Sequence, residues 1–122
     1  MFKSVATLGA TLFAVLAVAF FAVPDVVTAA WGLMLDGDAA YMGQRLAAVF
    51  AGFAVMLFLA RDAPPSPARR ALALGVATGM ILLACVGLWG MAVGTVGGGM
   101  LLAVAVEVVI GAALALSGRA TG

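Results

Sequence analysis

Four stretches of this 122-residue chain are apolar over enough length to cross a lipid bilayer, and that feature excludes most other folds. A spanning helix needs about 20 apolar residues, each rising about 1.5 Å, to cross roughly 30 Å of hydrocarbon. Val5–Val23 qualifies and ends at Pro24; Gly43–Ala60 qualifies apart from Gln44 and Arg45 at its start. The following run, Arg61-Asp62-Ala63-Pro64-Pro65-Ser66-Pro67, cannot continue a helix through lipid, because its prolines lack amide donors and its charges need water. Ala71–Met91 makes a third span and Val96–Leu116 a fourth, joined through Ala92–Thr95 as a tight glycine-rich hairpin. The expected fold is an all-α integral membrane protein, with residues 1–122 forming a single transmembrane four-helix bundle.

A short interfacial segment is expected between helices 1 and 2. Val26, Val27, Ala29, Ala30, Trp31, Leu33, Met34 and Leu35 are apolar enough to lie along the headgroups as a helix, with Pro24 favourable in its first turn. Asp36-Gly37-Asp38 then reads as a turn. The alternative, that Asp36 and Asp38 hold a divalent cation, lacks the six or so oxygen ligands such an ion takes. A second alternative treats the first span as a signal peptide, with Lys3 as its charged region and cleavage near Val27-Thr28-Ala29. That would leave three spans and an external N-terminus. The apolar run exceeds the roughly 7–15 residues of a signal core, which favours the spanning helix.

Composition agrees with lipid as the solvent. The chain is 66% hydrophobic and 9% charged, against about 45–50% and 25% in soluble domains, and so small a volume has too little interior to hide that surface from water. A net charge of +1, from scattered cations, gives no footprint for nucleic acid. Histidine is absent, which removes the commonest general base, transition-metal ligand and haem ligand. Cys85 is the lone cysteine and lies in an apolar run, so it reads as a small hydrophobe and not as a nucleophile. No metal or cofactor is expected.

The basic residues set the expected orientation. Lys3, Arg61, Arg69, Arg70 and Arg119 fall on one side of a four-span chain, and the other side carries only Arg45 with Asp25, Asp36 and Asp38. Short Lys- and Arg-bearing loops stay inside, so both termini are expected in the cytoplasm of a bacterial inner membrane. Trp31, Tyr41 and Trp89 map to the outer interface, where amphipathic rings are favoured.

Glu107 is the most informative side chain, because an ionised group near the centre of a span costs several kcal/mol. Gly99, Ala103, Glu107, Gly111 and Ala115 recur every fourth residue, a face of small residues around one carboxyl that another helix can approach closely. Glu107 is therefore expected to face the bundle, either as a hydrogen-bonding tie between spans or as a proton or cation site. Arg45 is the second candidate: it can snorkel to the headgroups, reach inward to Glu107, or clamp an anionic lipid. Thr11 and Thr78 are candidate partners for Glu107, although they and Thr7 can equally bond back to their own helices. Gly75, Gly79 and Gly87 are expected to pack the third helix, most simply against the fourth, as Gly99, Ala103 and Gly111 pack the fourth.

The order of features resembles a group of small four-helix bacterial membrane proteins of unknown function. The resemblance covers most of the chain. It rests on the first span ending in Pro24, the Trp31-Gly32-Leu33 turn, the Arg45–Gly52 start of the second span, and the Ala60-Arg61 exit before a Ser/Pro/Arg loop. It implies topology and no activity. Small multidrug exporters are similar in size and in their one membrane-embedded glutamate, but theirs is in the first span, which has no acid here. Small fluoride channels have polar pore residues without counterparts in this chain.

These readings lead to a non-enzymatic membrane protein acting through helix packing, as a homo-oligomer or as an accessory subunit of an inner-membrane complex. Its partners would be membrane lipids and other membrane chains or itself. The alternative is a proton-coupled transporter or channel for a small solute that uses Glu107. A lipid-modifying enzyme ranks third, since no acid and base pair suggests itself.

Overall fold

Caps and breakers decide where each helix stops. The computed structural model describes residues 1–34 and 36–119, so Leu35 of the expected interfacial segment lies outside the described residues. Helix α1 is Phe2–Ala22, and Pro24 ends it by holding Val23 at φ −139° and ψ 56°. Pro24 opens the short α2, Pro24–Ala29, at a position where its missing amide has no partner to lose. The interfacial helix is thus shorter than the apolar run suggests: Gly32, at φ 78°, turns the chain after Trp31, and Trp31 folds back against the core.

Helix α3, Gly37–Ala60, begins well before Gly43 because Asp36 is its cap, accepting the Ala39 amide at 2.7 Å. Helix α4, Pro67–Ala92, starts the same way, with the Ser66 hydroxyl accepting the Arg69 amide at 3.1 Å. It closes in a Schellman motif. Gly94, at φ 79°, donates to the Met91 carbonyl at 3.2 Å, and Thr95 donates to Gly90 at 2.8 Å. Helix α5, Met100–Gly118, starts later than Val96. Its approach, Gly97-Gly98-Gly99, has poor helix propensity, and the Gly97 amide donates instead to the Trp31 carbonyl at 2.8 Å.

Among the described residues α1, α3, α4 and α5 are long and apolar enough to span a bilayer, with 21, 24, 26 and 19 residues. The chain is an all-α, multi-pass membrane protein. The helices form two antiparallel pairs, α1 with α3 and α4 with α5, and the pairs meet where α1 runs along α5.

The spacing that builds these pairs is a heptad. Buried or partly buried residues recur at alternating steps of four and three: Phe2, Ala6, Gly9, Phe13, Leu16 and Phe20 on α1; Ala47, Phe50, Ala54 and Leu57 on α3. Such a repeat keeps one seam facing its partner along the helix. Aromatic rings fill the first seam. Phe13 lies 5.6 Å from Phe50 and 5.4 Å from Phe53, and Phe20 lies 5.8 Å from both Phe50 and Trp31.

Small residues fill the second seam, and of those expected Gly87 and Gly111 take part. Ala73, Met80 and Gly87 on α4 meet Gly118, Gly111 and Val104 on α5, so each step of seven down one helix is answered by a step of seven on the other. A Cβ at Gly111 would stand 3.2 Å from Met80 Cβ, and one at Gly87 would stand 2.9 Å from Val104. Gly75 and Gly79 do not take part: a Cβ at either meets nothing within 4 Å among the described residues. Four residues of α-helix turn through about 400°, so a face read every fourth residue drifts by about 40° per step. For the same reason Gly99, Ala103 and Gly111 do not pack one neighbour. Gly99 precedes α5 and abuts the Ala30 carbonyl, Ala103 faces a cleft, and Gly111 meets α4.

Polar ties close the end that holds both α1's start and α5's finish. Lys3 Nζ lies 2.8 Å from Asp62, and Arg61 Nε lies 3.5 Å from the same carboxylate. The hydrogen bond from Lys3, with both cations adding to it, holds the exposed Asp62 carboxyl below its ordinary value against a smaller desolvation effect. The tie therefore contributes above the unfolded-state carboxylate value and is lost as pH falls through the depressed folded value. In detergent melts, Asp62→Asn is expected to lower the melting temperature slightly at pH 7, to match the parent once the pH has fallen below the depressed folded value, and to match it at high salt, where exposed pairs are screened.

Candidate functional site

The two helix pairs pack tightly at the Lys3 end and separate toward the other. Phe2, Ala6, Ala10, Leu57, Ala73, Val76, Ala77 and Leu114 belong to one continuous buried core. Beyond them, α1 and α3 part from α4 and α5 to leave a cleft of about 570 Å³. By helix position its inner end is Leu12, Met80 and Glu107, and its outer end is Trp31, Thr95 and Gly99. The Gly97-to-Trp31 hydrogen bond spans that outer end.

Glu107 reaches the cleft because it occupies a seam position of the heptad. Val104, Glu107, Gly111, Leu114 and Gly118 continue the steps of three and four along α5, and Glu107 is the residue of that series whose side chain is ionisable. It is partly buried, and its Oε2 is inaccessible and without a hydrogen-bond partner among the described residues. No other lining residue is ionisable, and Thr95 supplies the one hydroxyl.

The expected partners are not brought to it. Arg45 is exposed on α3, does not line the cleft, and forms no ion pair among the described residues. Thr11 is exposed and donates to the Thr7 carbonyl at 2.9 Å; Thr78 is exposed and donates to Leu74 at 2.8 Å. Thr7 itself donates to Lys3 at 2.7 Å. Each threonine satisfies its hydroxyl within its own helix. Within one chain Glu107 therefore ties no two spans together through Oε2.

Arg69 is the buried polar residue that sequence reasoning missed, having counted it only as a topology charge. Its residue exposure is 8%. Nη1 donates to the Ala63 carbonyl at 3.0 Å, Nη2 donates to Ser117 at 3.2 Å, and the guanidinium lies 4.1 Å over the Phe2 ring. One side chain thereby joins the start of α1, the connection before α4 and the carbonyl end of α5, where a cation is favoured by the helix dipole. The heptad series Arg69, Ala73, Val76, Met80 was the available signal.

The fold and the site together define a four-helix integral membrane bundle with an apolar cleft carrying one carboxyl group. Comparison of the chain with protein-family models, with curated proteins and with solved structures finds no match.

Proposed function

We propose that this protein is a non-enzymatic component of the bacterial inner membrane that acts by packing against another membrane chain or a second copy of itself, with both termini in the cytoplasm. The observation that carries this reading is the outward face of α4. Gly75 and Gly79 form a small-residue step facing away from α5 with open space above both. Thr78 beside them has its hydroxyl satisfied internally. A face of this kind lets a second helix approach closely in lipid, where van der Waals packing drives association. A shallow groove of about 280 Å³ between Thr78 on α4 and Ala112 on α5 widens the same surface. The inward orientation rests on Lys3, Arg61, Arg69 and Arg70 lying at one end of the bundle.

Purification from native membranes in a mild detergent, with intact mass and identification of co-purifying chains, tests the reading. The expected result is a complex of fixed stoichiometry that Gly79→Leu dissociates while the helical content of the chain, read by circular dichroism, is unchanged. A monomer, in the parent and in Gly79→Leu alike, would overturn it. The rival reading, solute transport coupled to Glu107, gains no polar route from the cleft, whose walls offer a hydrated solute almost nothing to bind. Flux lost on Glu107→Gln with assembly intact would favour it.

A further inference from the structure

The cleft has the size of a ligand site, since small-molecule pockets run about 300–1,000 Å³, and its chemistry narrows what it can hold. A lipid chain would fill the volume yet leave the Glu107 carboxyl unpaired in an apolar setting, which carries a large desolvation cost. A hard metal ion needs about six oxygens; Glu107 and Thr95 lie at opposite ends of the cleft and provide too few. An anion would meet like charge and no arginine or lysine. What remains is a molecule that brings its own cation on an apolar body. Phe20, Trp31, Phe50 and Trp89 line the walls, and such rings bury a large apolar body.

We propose that the cleft is a binding site for an amphipathic organic amine, its apolar body between the two helix pairs and its protonated nitrogen paired with the Glu107 carboxylate. The site is complete within one chain. It is independent of the assembly surface on α4, so the two readings can fail separately.

The chain's two tryptophans, Trp31 and Trp89, both line the cleft and report on it directly. The experiment is tryptophan emission of the full chain in phosphatidylcholine nanodiscs, titrated with decylamine and with its neutral analogue decanol. Decylamine is expected to give a saturable change with a half-saturation at least about tenfold below that of decanol, a difference of about 1.4 kcal/mol. Glu107→Gln is expected to remove the preference while keeping the fold. Ala103→Phe, which fills the cleft wall but keeps the carboxyl, is expected to abolish saturation by both. Equal half-saturation of amine and alcohol, a preference that survives Glu107→Gln, or a linear response set by partition into the bilayer would each overturn the proposal.

Discussion

Gly111→Leu is expected to be strongly damaging, lowering the stability of the chain in detergent by about 3 kcal/mol or preventing its accumulation. At Gly111 even a Cβ would stand 3.2 Å from Met80 Cβ and Ile81 Cδ1 and 3.3 Å from the Ala77 carbonyl oxygen. Two of those three neighbours are a Cβ and a backbone oxygen, which cannot swing aside as the tip of a long side chain can, so α5 must move off α4. Leucine would favour the helix by roughly 0.5–1 kcal/mol over glycine, which makes a net loss diagnostic of the seam. Gly52→Leu on α3 is the control, because it lies outside the assembly surface and a Cβ there meets nothing within 4 Å among the described residues. It is expected to leave the melt unchanged or slightly raised. Equal losses at the two positions, read by thermal melts with size-exclusion detection, would show that the seam is drawn in the wrong place.

The second large effect is expected at Arg69. Arg69→Met removes the donors to Ala63 and Ser117 and the cation over Phe2. Hydrogen bonds from a charged group contribute about 1.5–3 kcal/mol each, and leaving buried carbonyls unpaired costs more than losing the bond alone. The Arg69 Nε is buried without a partner among the described residues, an existing cost that methionine would relieve. The net loss is expected at about 2–4 kcal/mol. Arg69→Lys is expected to recover less than half of it, since a compact ammonium lacks the planar fork that reaches two carbonyls while lying flat on a ring. Arg70 is exposed, and Arg70→Met sets the baseline for removing a neighbouring charge. If the Arg69 and Arg70 variants melt together, Arg69 holds nothing.

These two residues also mark how far the sequence could be read. The four spans were legible because lipid demands long apolar helices with internally satisfied backbones, a requirement each segment meets by itself. The inward-facing position of Glu107 was legible too, since a carboxyl on a lipid-facing stripe would be far costlier. The packing glycines were read with the wrong period. Steps of four pointed to Gly75 and Gly79 along with Gly87 and Gly111, and steps of seven would have kept the latter two and found Ala73, Met80, Gly118 and Val104 with them. In a helix apolar on every side, hydropathy marks no inner face, and only the partner helix reveals the seam.

Sequence alone therefore determined the class of solvent, the number of spans and the clustering of cations at one end, because each is a property of local composition measured against the thickness of a membrane. Tertiary structure alone decided that α1 pairs with α3 and α4 with α5, that Arg69 is a clamp, that Arg45 stands apart from Glu107, and that the pairs part into a cleft around one carboxyl. Those outcomes depend on which surfaces meet across tens of residues of chain, and shape complementarity between distant helices is written in no single segment.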